Sequence, residues 1–503
     1  MSDHNEKFMS TFAPKKKKVS HDEETDIKQN GLYMDYNRKI LNDIFELNST
    51  RPVKITAVNI NGTNNQFRDS FLKSQISPLL NSNNQLNLSD FLKNIDLTTL
   101  NFAKSGSISN LTMSVNESSF KSPFNSVNTL ELVTTLNILP VKKFFMKVGT
   151  NIGNGEGDGY LTLQWKNIFG GAENLSFDTN IASNQIGSKN KSTYLLNYST
   201  PILNNTSYKF DNTIYHCTRT IDYTTFHEQD INGITSKLST NFNTNLNHTL
   251  SFETLLRTMK LSNPKSNSSY RNNALINDYF LYNAGSNFKT SCTYTLNYDT
   301  RNSTILPTNG NLFKSSIELC LPIINKNNSY IKSQIDVSNS TNFFENLIIL
   351  NSNLKIGHIY SLDKNIPIHP MDKFQLGGPN DIRGFKISGL GPKQMGLPIG
   401  GDAFIAYGLS CFTKLPFLSK DSNFKFHSFI NTGKSISLDN GEDVFKKLIL
   451  FNKYSGLSCT AGIGLIFAHP MARFELNIGV PILKNPGDDI RKGLQYGIGL
   501  SFM

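Results

Sequence analysis

From about residue 141 to the C-terminus, apolar and polar residues alternate in short runs. In residues 288–298, Phe, Cys, Tyr and Leu predominate at one set of alternate positions, and Lys, Ser, Thr and Asn fill the other set. Residues 472–480 and 494–502 repeat this pattern with Gly, Ser, Asn, Gln and charged residues on the second set. Because successive side chains of a β-strand point to opposite faces of its sheet, these runs predict strands with one apolar and one polar face.

Strands of two fold classes show this alternation of apolar and polar residues: the soluble β-sandwich and the transmembrane β-barrel. The second face here is repeatedly Gly and Ser, whereas a soluble surface usually carries Lys and Glu. The alternation also continues to Phe502, as the closing strand of a barrel would. Residues 141–503 accommodate about 16 strands of roughly 9–11 residues with their loops. We therefore predict an all-β transmembrane barrel of about 16 antiparallel strands over 141–503.

A different pattern precedes this region. Residues 1–50 are polar and mixed in charge, and we expect a flexible segment. Residues 51–137 begin with a strand-like run, continue with apolar residues at helical spacing over 67–80 and 91–100, and end with strand-like runs over 108–115 and 127–136. Ser89 is the expected N-cap of the second helix, and Gly106 its expected end. The order β-α-α-β-β predicts a small α+β domain, and this order alone is compatible with a generic domain.

Composition narrows the choice of membrane protein. Hydrophobic residues make up 38% of the 503 residues, and no run approaches the roughly 18 apolar residues that a membrane helix needs. This excludes a helical membrane protein but not a barrel, because barrel strands present only every second side chain to lipid. The net charge of +11 is compatible with nucleic acid or an anionic membrane surface, but no nucleic-acid motif accompanies it.

Neither the cysteines nor the N-terminus suggests a secreted or metal-binding protein. The five cysteines are scattered without metal-ligand spacing, so we expect no disulfide framework, metal site or cofactor. The first 13 residues contain no apolar core of a secretory signal. The basic run at 15–18 is compatible with a nuclear signal, but acidic residues follow closely, and a solvated tail is the preferred interpretation.

Residues 375–401 interrupt the alternation with many glycines. Such glycines permit positive φ angles and close backbone approaches. No Gly-Lys-Ser/Thr follows them, so the segment is not a phosphate-binding loop. A flexible surface loop would not need the apolar residues that flank its single arginine, and long loops of this kind are often functional. The candidate residues are Gly377, Gly378, Ile382, Arg383, Gly384 and Phe385.

This segment resembles the Arg-Gly-Phe/Tyr loop of the outer-membrane protein assembly (BamA-like) superfamily. The resemblance implies that the loop folds back into the barrel lumen and that Arg383 contacts polar and acidic groups of the inner wall. Glu475 and Asn431 are the candidate partners, although bacterial relatives often have an acid where Asn431 stands. The resemblance also implies that residues 51–137 form a POTRA domain.

Two further segments extend the resemblance. Residues 298–310 resemble the family's Asp-x-Arg…Pro…Gly hairpin, and residues 391–404 are similar to the mitochondrial branch, the barrel subunits of the sorting and assembly machinery (SAM, or TOB). The C-terminus resembles the β-signal of mitochondrial barrels, carried by Gln495, Gly497, Leu500 and Phe502.

The implied function is insertion and folding of β-barrel precursors into the mitochondrial outer membrane, through a seam between the first strand (about 141–151) and the last (about 494–502). It implies precursor clients, accessory subunits of an assembly complex, the lipid bilayer as surroundings, and an N-terminal domain in the intermembrane space. We expect no enzymatic activity. A passive diffusion channel and a preprotein-translocating channel of the same superfamily are the alternatives.

Overall fold

The structure is a computed structural model that describes residue 40 and residues 43–63, 65–80, 86–118, 129–153, 156–184, 191–220, 227–242, 245–261, 282–323, 329–344, 347–363, 366–415, 423–438, 456–469 and 472–499. The chain divides into two compact units, and the second comprises Asn64–Gln75, Asn101–Ser109 and everything from Pro140 onward. No helix among the described residues is long and apolar enough to cross a membrane.

Between residues 52 and 140 the described elements are three helices and four strands, which follow a helical turn at residues 43–47. They are β1 (Pro52–Asn61), α1 (Asp69–Gln75), α2 (Ser77–Leu80), β2 (Leu86–Asn87), α3 (Leu88–Ser105), β3 (Ile108–Glu117) and β4 (Leu130–Pro140). The strands form one sheet in the order β2-β1-β4-β3, in which β1 and β4 are parallel. Val53, Leu79 and Phe91 are the buried centre of a small core. This is the α+β arrangement that the sequence predicts, with the short β2 in addition.

The predicted start of α3 needs a correction. The helix begins at Leu88, so Ser89 lies in its first turn and is not the N-cap. The backbone N–H groups of Leu88 and Ser89 donate to the carbonyls of Arg51 and Ser49, at 3.0 and 3.1 Å. Because neighbouring backbone already satisfies these donors, no side-chain cap is needed there. Gly106 follows the end of α3 with a φ of +63°, as its sequence position predicts.

The second unit is built on one antiparallel sheet of 16 strands. Its first half consists of β5 (Phe144–Gly153), β6 (Glu156–Lys166), β7 (Asn174–Asn184), β8 (Lys191–Ile202), β9 (Asn205–Thr220), β10 (His227–Thr240), β11 (Leu246–Leu261) and β12 (Gly285–Asp299). The second half consists of β13 (Gly310–Leu321), β14 (Tyr330–Phe343), β15 (Ile348–Ser361), β18 (Ala403–Lys414), β19 (Phe424–Ile436), β20 (Ser458–His469), β21 (Ala472–Leu483) and β22 (Leu494–Gly499). The short strands β16 (Lys393–Gln394) and β17 (Leu397–Pro398) form a separate hairpin between β15 and β18.

Neighbouring strands of the large sheet follow one another in the chain, with only the β16–β17 hairpin inserted between β15 and β18. This is the topology of a meander. The predicted fold class, with 16 antiparallel strands, is confirmed. The strand order begins at β5 and ends at β22, and within the described ranges no ladder joins these two strands.

The two faces of the sheet differ as the alternation predicts. On β21, Arg473, Glu475 and Asn477 are at most 3% exposed, whereas Phe474 and Leu476 between them are 39% and 43% exposed. The exposed side chains form an apolar outer face, and the buried ones form a polar inner face. An apolar band on one face and polar residues on the other are the arrangement of a membrane-spanning sheet.

Candidate functional site

The chain between β15 and β18 forms a loop that packs against the inner face of the sheet; residues 366–402 are called the lumen loop below. Its two limbs, residues 366–376 and residues 390–402, meet at isolated bridges between Phe374 and Gly401 and between Leu376 and Leu390. Apolar side chains of the loop are buried together with side chains of the wall. This cluster consists of Cys320, Tyr330, Ile359, Ile368, Phe374, Leu376, Ile382, Phe385, Leu390, Phe404 and Ala406. The predicted loop at 375–401 is therefore an ordered part of the core of this unit.

Two glycines of the loop are needed for its path. Gly377 has a φ of +111°, and a Cβ there would lie 2.7 Å from the carbonyl oxygen of Lys386. Gly384 has a φ of +84°, and a Cβ there would lie 2.3 Å from Cγ2 of Thr460 on the wall. L-residues rarely adopt such φ angles, and the contacts leave no room for a side chain. Gly378 has a φ of +122° in the same turn.

Arg383 lies at the tip of the loop and has no exposed surface. Its Nε donates to Oε2 of Glu475 at 2.9 Å, and its Nη2 lies 2.8 Å from the same oxygen. Its Nη1 donates to Oδ1 of Asn431 at 3.2 Å. The guanidinium also lies over the ring of Phe429, with Cζ 5.0 Å from the ring centroid. The structure thus brings Arg383 together with both wall residues that the sequence analysis names as its partners.

Glu475 is at the centre of a larger polar network on the inner face. It also pairs with Arg473 of its own strand, and Nδ2 of Asn477 donates to its Oε2 at 2.7 Å. Oδ1 of Asn477 in turn lies 3.1 Å from Nδ1 of His427. Burying such charges costs several kcal/mol per ion unless hydrogen bonds satisfy them, so the network is stable only while its partners stay together.

The loop tip also holds the segment that leads into the last strand. Phe385 and Ile490 form an antiparallel bridge, and the backbone N–H of Arg491 donates to the carbonyl of Gly384 at 3.0 Å. The side chain of Gln495 on β22 accepts a hydrogen bond from the N–H of Gly384 at 2.8 Å and donates to the carbonyl of Phe385 at 3.3 Å. The predicted polar residue of the β-signal therefore lies against the Arg-Gly-Phe backbone.

The other predicted residues of the C-terminal motif lie apart from the tip or beyond the described chain. Gly497 on β22 is the ladder partner of Glu475 on β21. Leu500 and Phe502 lie outside the described residues.

A second charged cluster, formed by Asp372 with Arg257 and Lys289, lies at the start of the loop and was not predicted from the sequence. Asp372 accepts from Nη2 of Arg257 at 2.7 Å, from Nη1 of the same residue at 3.1 Å, and from Nζ of Lys289 at 3.0 Å. Burial alone would raise the pKa of the Asp372 carboxyl, but the positive charges of Arg257 and Lys289 outweigh burial and hold this pKa well below its usual range. The only sequence signal was the placement of Lys289 on the polar face of its strand.

The hairpin that the sequence analysis singles out at 298–310 packs against the inner face. Asp299 and Arg301 form an ion pair with Nη2 and Oδ2 2.8 Å apart. Leu306 is buried with Phe412 and other wall residues in a second apolar cluster. This turn is thus part of the packed interior.

The sequence of this chain is similar to those of known proteins over most of its length. The sequence profile of the Omp85 superfamily domain matches residues 167–502. The Sorting assembly machinery 50 kDa subunit of Saccharomyces cerevisiae is 32% identical over 76% of this chain and 80% of its own length. A SAM50-like protein of Schizosaccharomyces pombe is 27% identical over 92% of this chain and 94% of its own length. The human Sorting and assembly machinery component 50 homolog is 27% identical over 74% of this chain and 76% of its own length.

Among solved structures, BamA of Haemophilus ducreyi lacking POTRA domains 1–3 matches with a TM-score of 0.66. The match covers 89% of this chain and 84% of that chain at 16% sequence identity. At this identity the likeness shows a shared fold.

Proposed function

Because this chain belongs to the Omp85 superfamily, we propose that it inserts and folds β-barrel precursor proteins into the mitochondrial outer membrane. The names of its relatives, subunits of the sorting and assembly machinery, support a place in a multi-subunit assembly complex. In this proposal the N-terminal α+β unit faces the intermembrane space as a POTRA domain. The activity exchanges hydrogen bonds between strands, so it requires neither bond-breaking chemistry nor a cofactor.

The observation that supports this mechanism is the pairing and exposure of the first and last strands, β5 and β22. The described parts of β5 and β22 form no ladder with each other, and the side chains of Phe144, Phe145 and Met146 on β5 are 52–60% exposed on both faces. An unpaired backbone group in lipid costs several kcal/mol, so an edge strand in the membrane favours pairing with another strand. A precursor strand adding to this edge by β-augmentation would satisfy these groups.

The packed lumen loop argues against a passive diffusion channel. Such a channel needs an open, water-filled lumen, whereas side chains of the loop are buried against the inner face from Ile368 to Leu390. Depletion of the protein should therefore stop assembly of precursor barrels before it changes metabolite flux.

Site-specific crosslinking during import tests the proposed seam. The five native cysteines of this chain are replaced by serine, and Met146→Cys introduces a single cysteine on β5. This variant then imports a precursor that carries one cysteine in its C-terminal strand. We expect a disulfide adduct that forms during import and disappears when assembly is complete. The control is a cysteine at Leu250 on β11, whose side chain is similarly exposed on the outer face but whose strand is paired on both sides. Adduct formation at Met146 no greater than at Leu250 would refute the seam.

A further inference from the structure

We propose that Asp372 is a second positioning residue of the insertion activity, which fixes the first limb of the lumen loop so that the loop braces one half of the sheet against the other. The inference rests on the proposed function for its biological consequence and on the geometry alone for the brace itself.

The first limb is attached to the wall by charge. The side-chain exposures of Arg257 and Asp372 are 5% each, and that of Lys289 is 10%, so the cluster is shielded from water. Lys289 is also shared with Glu318 on the next strand, at 2.6 Å. Asp372 is the group of this cluster that belongs to the loop, and it meets two cations on two adjacent strands. Removing it would leave both cations buried next to a single carboxylate.

Neighbouring contacts hold the same limb in place. Nζ of Lys332 on β14 donates to the backbone carbonyl of Asp372 at 2.8 Å and lies 4.5 Å from the ring centroid of Phe374. Phe374 packs against Phe404 of β18 with ring centroids 4.6 Å apart and an interplanar angle of 54°. Met371 packs on Met259 of β11. The limb therefore has apolar support, and the carboxylate of Asp372 adds directional contacts with β11 and β12.

Two buried ionic anchors of the loop lie half a sheet apart, in addition to a more exposed pair between Lys355 on β15 and Asp381 at 3.7 Å. Arg257, the partner of Asp372, is on β11, and Glu475, the partner of Arg383, is on β21. In the order β21-β20-β19-β18-β15-β14-β13-β12-β11, these strands are eight places apart in a sheet of 16. A loop held at both points ties the middle of the sheet to its C-terminal edge. Its tip then meets Gln495 and residues 489–491 from a base that is fixed at β11 and β12.

A folding role and a positioning role of Asp372 predict different behaviour of the loop tip. If Asp372 only contributes to folding, its loss lowers stability without changing the position of the tip. If it positions the loop, its loss frees the limb and loosens the contact of the tip with the segment before β22. Native Cys320, which has no exposed surface and lies in the cluster under the first limb, reports on the limb. A cysteine pair at Lys386 and Asp489, whose backbones are hydrogen-bonded at 3.0 Å, reports on the tip.

The experiment uses the full chain in lipid vesicles without a client. We measure alkylation of Cys320 in a background in which the other four cysteines are serine, and disulfide formation at Lys386→Cys with Asp489→Cys in a background without native cysteines. For Asp372→Asn we expect Cys320 to be alkylated about tenfold faster or more, since a buried pair has lost one partner. The yield of the tip disulfide should fall several-fold. Asp372→Glu, which restores the charge, should recover both signals.

The control is Asp230→Asn, which breaks a more exposed ion pair with Lys260 between β10 and β11. It should leave both signals at the wild-type level. Protection of Cys320 or an unchanged tip disulfide in Asp372→Asn would overturn the brace. If this variant does not assemble, Lys289→Gln removes one of the two cations while Arg257 remains, and the same criteria apply.

Precursor insertion is then measured separately. Slower insertion by Asp372→Asn, recovered by Asp372→Glu, supports the positioning role. Insertion at the wild-type rate by a variant whose limb is released overturns that role. Failure of the wild-type chain to insert precursors would contradict the proposed function, while the two cysteine signals would still decide whether the brace exists.

Discussion

Replacing Arg383 by alanine is the most direct test of how the lumen loop is held. The change removes two contacts to Glu475 and one to Asn431, all without exposure to water. Breaking a buried pair by removing one partner typically costs about 3–5 kcal/mol, because the other charge stays buried. Glu475 keeps Arg473 and Asn477 as partners, which compensates part of the loss. We therefore expect a cost near the lower end, about 3 kcal/mol, which corresponds to roughly a 150-fold change in an equilibrium constant.

The assay is urea unfolding in lipid vesicles, followed by the fluorescence of Trp165, the single tryptophan of the chain, on β6. Protease cleavage of the loop, followed in parallel, reports whether the loop detaches before the sheet unfolds. Arg383→Lys should lose less, about 1–2 kcal/mol, because the charge remains but the planar fork does not. The control is Lys386→Ala, which removes an exposed cation three residues away and should change stability by no more than about 0.5 kcal/mol.

A double-mutant cycle decides whether the pair itself carries the effect. Glu475→Gln alone leaves Arg383 and Arg473 buried without their carboxylate, so it should also be destabilising. The double variant Arg383→Ala with Glu475→Gln should cost less than the sum of the single variants by at least about 1.5 kcal/mol, as for residues in direct contact. Additive effects, or a loop in Arg383→Ala that is as resistant to protease as in the wild type, would refute the reasoning.

Three further variants test other parts of the site. Gly384→Ala should destabilise loop docking by at least about 2 kcal/mol in the protease assay, because φ is +84° and the new Cβ has no room; Gly396→Ala, at a φ of +79° but in open space, should not affect docking, and equal effects would show that only backbone strain matters. Gln495→Leu should weaken the tip contact by about 1–3 kcal/mol, since two buried backbone groups lose their partner; Tyr496→Phe, on the opposite and exposed face, is its control, and equal tip crosslinking in both variants would contradict the assignment. Leu306→Ala should cost about 2–5 kcal/mol in urea unfolding, and an unchanged midpoint would show that the hairpin does not support the sheet.

The strands were predictable because their signal is local. Alternation over residues 472–480 depends only on which side chains face lipid and which face the interior, and a one-residue shift would put Glu475 into lipid. The start of α3 was not predictable in the same way, because the helix begins at Leu88, where carbonyls of Arg51 and Ser49 from earlier in the chain accept from the N–H groups of Leu88 and Ser89.

The two buried ionic anchors of the loop, at Arg383 and Asp372, differ in how far the sequence predicts them. Arg383 and its wall partners could be named because the Arg-Gly-Phe motif resembles a known loop. Asp372 carries no motif, and its partners Arg257 and Lys289 lie 115 and 83 residues earlier in the chain. Only the register of β11 with β12 brings these two cations to one carboxylate. A sequence can show that a polar inner face contains cations, but not which loop carboxylate satisfies them.

The contacts at the loop tip couple loop docking to the position of the last strand. Gln495 bonds to the backbone of Gly384 and Phe385, the two residues that follow Arg383 at the tip, and residues 489–491 pair with the same stretch. Each such hydrogen bond contributes about 0.5–1.5 kcal/mol net, so the two amide contacts of Gln495 alone couple the two events by about 1–3 kcal/mol. Coupling of this kind is reciprocal: whatever detaches β22 from the tip loosens the loop, and whatever releases the loop weakens the hold on β22 by the same amount. The proposed seam requires β22 to stay in place at rest and to yield to an incoming strand. A hold of this modest size meets that requirement, because a newly paired strand can outweigh it.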